Sequence, residues 1–366
     1  MKKALFTLSA LAMAASSAQA YTLIDNQETG TKLDFSGSLR LKWQSSSEKT
    51  ENYEKNTTKR NHVNRAVAND GSRFGFKLTQ QIANGFYGIG RAEWRFRGTA
   101  PSQHNFDDIY TRQLYVGIGH KQYGELTYGH MATITDEVKR TDLPNTLSLS
   151  GGLLNGSSRK VAQYTYSGIK GLKLGAFYGG HSQRGNDAKD LTDERKDIWG
   201  AAAIYNHKID ELQSVKLGTG VSRERFEQRS TGHTYGYTAY SVGTAYTYDK
   251  TTVGIDLERG VTNDQGTIGN KRVRKEVRTV LYQQLTKDWS AYTMYAYKTD
   301  RLDRVSSADT NKKTHEFMLG TEYYIVPKYL KTFVEWKTAK ANNYTNGVKS
   351  SKVRNNETVI GLRAYW

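Results

Sequence analysis

Three acids lie close together in one stretch of this chain: Asp136, Glu137 and Asp142. A Gly151-Gly152 pair follows them, and then Arg159 and Lys160. The stretch runs from Gly129 to Tyr166 with no strand period and no secure helix. Irregular connections of about thirty residues are uncommon in compact domains unless they have a function. Arginines occur at Arg40, Arg73 and Arg112, each on the polar side of an alternating segment. Carboxylates facing guanidiniums across water create a transverse field. Such a field orders water and favours small dipolar or charged solutes that can align with it. Taken singly, each arginine reads as an ordinary solvated side chain; the argument rests on the set. The spacing predicts that residues 132–159 fold into a hollow body and narrow it. Asp142, Asp136 and Glu137 would then line one side, and Arg40, Arg73, Arg112 and Arg159 the other.

Bond-making chemistry has little support. A hydrolase at a barrel rim needs a histidine beside a nucleophile or carboxylate. The eight histidines are scattered; His181-Ser182 and His130 near Asp136 come nearest, and neither forms a known motif. No histidine or carboxylate group has metal-site spacing, and no glycine-rich phosphate loop follows a strand. No cofactor is expected.

The elements that must position these residues read as strands. In Leu33 to Trp43, Leu33, Phe35, Leu39, Leu41 and Trp43 alternate with Asp34, Ser36, Ser38, Arg40 and Lys42. That period of two marks a strand with one apolar face. Ser72 to Ile82 repeats it, Asn84-Gly85 forms a hairpin turn, and Phe86 to Arg97 returns with Arg91, Glu93, Arg95 and Arg97 on one face. Tyr110 to Gly119 carries Arg112, and its outward side reads as Gln113 and Gly117, which fits a contact with another subunit. Ser45 to Asp70 reads as an exposed loop, as does the segment through Pro101. From Val161 onward similar segments recur to Trp366, with short connections such as Asp249-Lys250 alternating with long charged ones such as Ala341 to Val353.

This reading yields about sixteen strands, an even number within the range of outer-membrane barrels. A soluble sandwich would also alternate, but short and long connections would not take turns so regularly, and charges would not recur on so many polar faces. The fold class is therefore all-β: a transmembrane antiparallel β-barrel with one loop folded into the lumen. A closed sheet pairs every backbone group within lipid. Trp43, Trp94, Trp289, Trp336 and Trp366 fall on the apolar parity, where interfacial girdles lie.

Composition agrees. Tyr numbers 25 and Gly 34 against 3 Pro, and there is no Cys. Mean hydropathy is −0.72, and no apolar run beyond the N-terminus approaches a membrane-spanning helix. Lys2-Lys3, the apolar Ala4 to Ala15 and Ala18-Gln19-Ala20 read as a signal peptide over 1–20, leaving 21–366 as one barrel domain in the outer membrane. Its removal takes the formal charge from +17 to +15. The positive charges are interleaved at period two rather than gathered in a block. That fits a lumen that attracts anions better than a nucleic-acid or membrane-surface binder.

Several short stretches resemble the general porins of Gram-negative outer membranes, most of all those of the Haemophilus and Pasteurella group. They are Gly71-Ser72-Arg73-Phe74, Gly85-Phe86-Tyr87, Glu93, Tyr115-Val116-Gly117, Gly124-Glu125-Leu126, Tyr128-Gly129, Thr141-Asp142-Leu143-Pro144 and the terminal Trp366. The resemblance covers the chain after residue 20. It implies a homotrimer of sixteen-stranded barrels that passes small hydrophilic solutes and ions by passive diffusion. It implies an acidic third loop opposite a basic wall, with Asp142 matching the loop acid, Arg73 and Arg112 matching the wall closely, and Arg40 and Arg159 approximately. Trp366 takes the place of the terminal aromatic that outer-membrane assembly machinery reads. Asn145 and Thr146 stand where many relatives have a second loop acid, so the constriction is expected to lean weakly towards anions. A solute-specific anion or nucleotide channel is the alternative. Host-binding loops would be compatible with either.

Overall fold

Alternation dominates the chain because one face of each strand meets an apolar surrounding and the other meets water. In a computed structural model that describes residues 20–98 and 108–366, the side chains of 63–65 excepted, this pattern builds one continuous sheet. The signal-peptide expectation over 1–20 falls almost entirely, and the loop through Pro101 falls, outside the described residues.

The first strands are β1 (Tyr21–Asn26), β2 (Thr31–Asn52), β3 (Thr57–Asn69) and β4 (Arg73–Gln81). Then come β5 (Phe86–Phe96), β6 (Ile109–His120), β7 (Gly124–Ala132), a 3-10 turn (Ile134–Val138), β8 (Ser157–Ile169), β9 (Leu172–Gly179) and the short β10 (Ser182–Arg184). The remainder is β11 (Asp190–Lys208), β12 (Gln213–Glu227), β13 (Thr234–Tyr248), β14 (Thr251–Asn263) and β15 (Lys271–Gln284), followed by β16 (Trp289–Asp303), β17 (Thr310–Val326), β18 (Leu330–Thr345) and β19 (Val348–Tyr365). All pairings are antiparallel. β3 and β4 pair with successive parts of β2, β9 and β10 with successive parts of β11, and β1 extends the line of β19 beside β2. The segments therefore merge into a closed barrel of 16 strands. Every expected strand has its counterpart. The last residue, Trp366, joins the ladder by exchanging backbone hydrogen bonds with Gly37.

On β13 the exposed Tyr240, Val242 and Tyr246 alternate with the buried Ala239, Ser241 and Ala245. The same contrast between an apolar exposed face and a polar covered face runs round the barrel.

Three expectations need correction. Ser45 to Asp70 is not a loop: β2 and β3 continue as a long hairpin through most of it. Its polar sequence hid the strands because a hairpin rising beyond the apolar band has no apolar face to reveal its period. Ala341 to Val353 is likewise hairpin, turning at Asn346-Gly347, both in the left-handed region. The outward side of β6 is also not Gln113 and Gly117. Leu114 and Val116 are 58% and 66% exposed, and Gln113 turns to the polar face to donate to Glu93. A β-bulge opposite Glu93/Trp94 inserts one residue at Arg112 and shifts the parity from there on. Arg112 and Gln113 thus both serve the polar face.

Candidate functional site

The segment between β7 and β8 packs against the polar face through two apolar anchors. At one end Ile134 and Val138 join Met131, Val161, Phe177, Ile198, Ala202 and Ile204 in a buried cluster. Gly175 on β9 makes this approach possible: a Cβ there would come within 2.8 Å of Ile134. At the other end Leu147 and Leu149 pack with Val280, Met294, Met318 and Phe333. Strand side chains on an aqueous wall would have no reason to be apolar here; they are apolar where the segment covers them.

Between the anchors the segment has little regular structure, so its backbone N–H groups need other acceptors. Wall carboxylates supply them. Asp256 on β14 accepts from the N–H of Arg140 at 2.9 Å and of Thr141 at 3.0 Å, and from the Thr141 hydroxyl at 2.5 Å. Glu335 on β18 accepts from the N–H of Asn145, Thr146 and Leu147 at 2.8, 2.9 and 2.6 Å. Glu258 accepts from Leu153 N–H at 2.5 Å, and Ser222 on β12 accepts from Asn155 N–H at 3.1 Å. Behind these acids Arg278, fully buried, pairs with Glu258 at 2.8 Å and Glu276 at 2.7 Å and lies 3.6 Å from Asp256. A buried cation among three acids pairs charge that burial would otherwise leave uncompensated.

Asn145 gains a physical rationale. Its amide donates to Glu322 and to the Tyr292 hydroxyl, both at 2.8 Å, while its N–H donates to Glu335. An acid at this position would bring a third carboxylate against two. Tyr292, itself bonded to Glu335 at 2.9 Å, stacks on Tyr282 and is fully engaged.

The sequence-predicted acids lie along this segment and are about half exposed. Asp136 pairs with Lys139 at 3.1 Å; Asp142 accepts from Ser148 at 2.9 Å and lies 3.9 Å from the same lysine; Glu137 pairs with Lys173 at 2.6 Å. Burial opposes the charge on Lys139, but the carboxylates of Asp136 and Asp142 outweigh it and raise its pKa. Among the described residues no ion pair joins Asp136, Glu137 or Asp142 to Arg40, Arg73, Arg112 or Arg159.

The arginines form an arc on the polar face of β2, β4, β5 and β6. Arg73 stands directly across the strands from Arg95, and Arg40 and Arg112 are both within electrostatic reach of Arg73. Arg40 donates to Ser38 at 2.8 Å, and Arg112 to Ser157 at 2.8 Å, with Asp136 within electrostatic reach. Arg159 is set apart: it donates to the Gly185 carbonyl at 2.7 Å, beside Arg184 and Asp187. Asp70, between β3 and β4, pairs with Arg363 at 2.6 Å, lies 3.8 Å from Lys42 and accepts from Thr146 at 2.8 Å. It links the arc to the loop.

Asp70, Arg95, Asp256, Glu258, Arg278, Glu335 and Arg363 were not among the expected site residues. Their signal was present only as parity: each lies on the polar side of its strand or at a strand break.

Comparison with known proteins matches the sequence with the model of the Gram-negative porin family over residues 7–232. Along its whole length the chain is 26% identical to the major outer membrane protein of Pasteurella multocida strain Pm70, covering all of both chains. Among solved structures, OmpT of Vibrio cholerae superposes with TM-score 0.66 at 15% identity, over 95% of this chain and 100% of that one. An anion-selective porin from Comamonas acidovorans gives 0.63 at 13% identity, over 92% and 100%. The latter likenesses concern fold alone. The closed barrel with its apolar outer band and polar inner wall is what such a family requires, and the chain belongs to the Gram-negative porins, the diffusion channels of the outer membrane.

Proposed function

We propose that this protein is a general, passive, water-filled channel for small hydrophilic solutes and ions, narrowed by residues 132–159 lying within the lumen and leaning weakly towards anions. One observation carries the reading. The segment bonds to polar-face side chains on strands far apart round the barrel, from Ser222 on β12 through Asp256 on β14 to Glu335 on β18 and Asp70 beside β4. Contacts spread this widely round the barrel support a segment that crosses the bore. The anion preference follows from charge placement. Loop acids are offset by Lys139 and Lys173, and wall acids are occupied by loop N–H groups. Arg73 and Arg95 face each other, the nearby Glu93 is engaged by Arg91 and Gln113, and among the described residues the buried Nε of Arg95 has no partner. Within this reading Asp142, Asp136 and Glu137 edge the constriction, Arg40, Arg73 and Arg112 form its basic wall, and Arg159 contributes at the margin. A 1–20 signal peptide precedes the barrel, the terminal Trp366 serves as the assembly signal, and the protein forms a homotrimer, in keeping with the trimer form of the Vibrio cholerae relative.

Planar-bilayer recording tests this. Large stepwise conductance is expected, with a reversal potential in a salt gradient displaced mildly to the anion side. Absence of steps would sink the channel reading; a cation-side potential would sink the assigned selectivity. The Arg73–Arg95 pair also favours a second reading, a channel selective for phosphorylated solutes. Liposome swelling distinguishes the two: similar rates for neutral and phosphorylated sugars of equal size support the general channel.

A further inference from the structure

Two cations stand apart from both the arginine arc and the buried mount: Arg140 on the 132–159 segment and Lys216 on β12. Arg140 is half-buried, and its backbone N–H donates to Asp256. Its side chain turns back along the segment, with Nε donating to the Val138 carbonyl at 2.9 Å and Nη2 to the Glu137 carbonyl. Glycines on three neighbouring strands admit it. A Cβ on Gly218 of β12 would come within 3.1 Å of the Arg140 Nε, and one on Gly243 of β13 within 2.9 Å of its Cγ. One on Gly254 of β14 would lie 3.0 Å from its carbonyl oxygen. Gly218 and Gly243 are directly opposed, so together they open a trough in the wall.

Lys216 lies next but one to Gly218 on β12 and shares its face, about 7 Å away along the strand. The exposed Leu217 marks the other face, and the buried Ala245 stands opposite Lys216. The ammonium and the guanidinium are within electrostatic reach of each other. Neither has an acid to itself. Asn206 and Ala245 flank Lys216 across the sheet, and among the described residues Lys216 has no hydrogen bond or ion pair. The acids near Arg140 are Asp256 and Glu137. Asp256 is taken up by the N–H groups of Arg140 and Thr141, and Glu137 pairs with Lys173 at 2.6 Å.

The pair also sits at a different depth from the arc. Lys216 comes soon after the short connection that ends at Gln213, where β12 begins. Arg73 opens β4 and Arg112 lies near the start of β6, so each is most of a strand away from the short turns after Gln81 and His120. Short turns of such barrels face the periplasm and long connections the outside. The arc is therefore nearer the external mouth, and Arg140 and Lys216 are nearer the periplasmic one.

We propose that Arg140 and Lys216 form a second anion-binding step, which small multivalent anions reach from the periplasmic side without passing the arginine arc. The inference rests on the reading of residues 132–159 as the constriction. Arginine offers an oxyanion a planar fork and lysine a mobile point charge, so the two complement each other on one ligand. Like charges focused in a narrow passage raise the local concentration of counter-ions.

The test is block of single channels of the full-length protein in a zwitterionic planar bilayer, with inorganic tripolyphosphate added to one side and then to the other. The native channel should be blocked from both sides, less strongly as salt rises. Lys216→Gln/Arg140→Gln should raise the half-blocking concentration about tenfold from one side and less than about twofold from the other. Arg73→Ala/Arg95→Ala should act mainly from the opposite side, and Lys216→Arg should block like the native channel. If the double variant yields no conductance steps, Lys216→Gln alone, which removes no hydrogen bond, should weaken block from the same side about threefold. Block left unchanged by a conducting variant would overturn this inference alone, as would relief from the same side by both pairs of substitutions. Native channels with no block from either side and a cation-side reversal potential would overturn the anion-leaning reading, and this inference with it.

Discussion

Two stretches of the polar wall treat charge in opposite ways. On β14 to β18 the carboxylates are buried and saturated: Asp256, Glu258 and Glu335 accept backbone N–H groups of the 133–156 segment. On β2 to β6 the guanidiniums face one another, and Arg73 opposes Arg95. Buried charge is tolerated only when it is paired and hydrogen-bonded, so the first stretch works as a mount. The second stretch carries no such mount, and within the proposed function it faces the passing ions. The difference teaches that placement in the fold, not the number of acids or bases, sets which charges are engaged by the 133–156 segment.

Breaking the mount should have the largest effect. Asp256→Ala removes the acceptor for Arg140 and Thr141 and one of the carboxylates around buried Arg278. A loss of about 3–5 kcal/mol is expected, read as a lowered denaturation midpoint of the folded barrel and noisier channel openings. An unchanged midpoint and quiet openings would contradict the mount. Leu147→Ala empties the second apolar anchor and should cost about 2–4 kcal/mol, with larger solutes entering in liposome swelling. On the other side of the comparison, Arg73→Ala/Arg95→Ala should leave stability within about 1 kcal/mol while moving the reversal potential towards cations, since it removes two opposed wall cations. If the midpoint falls and the potential stays, the two stretches have been assigned the wrong way round. Asp142→Asn should move the potential in the anion direction by less than half as much, because Lys139 and Ser148 already engage that carboxylate.

The smallest effect concerns pH. The pKa of Lys139 is raised in the fold, so its tether to Asp136 and Asp142 is fully present below the ordinary lysine value and is lost only as pH rises through the elevated one. Conductance between about pH 7 and 10 should therefore show no change from this tether. A titration within that window abolished by Lys139→Gln would show the tether to be weaker than the geometry indicates.

Much of this was legible in the residues. The run Leu39, Leu41, Trp43 against Arg40 and Lys42 defined a strand and its two faces, and comparable runs marked part of each of the 16 barrel strands, though not the segments β1, β3 and β10. The long irregular stretch with its acids was marked out by the absence of any period. Elsewhere the residues carried no such mark. Polar hairpins such as Lys49 against Arg60 gave no contrast between faces, because neither face meets lipid or core. The bulge at Arg112 inverted the parity of β6, and no residue type announces a bulge of this kind. Asp70 and Glu335 looked like ordinary polar positions, although one links the arc to the loop and the other holds three loop N–H groups.

The sequence by itself determined the class of the molecule, since side-chain alternation is a local property that each strand carries alone. It also determined that Arg40, Arg73 and Arg112 would share a face. Only the tertiary structure decided which charge meets which. Register brings Arg73 to Arg95, and barrel closure brings Arg363 to Asp70 across almost the whole chain. Docking of the loop consumes the wall acids. Coulombic and hydrogen-bond energies fall off within a few ångströms, so partners distant in sequence are set by the path of the backbone and cannot be read from composition or spacing.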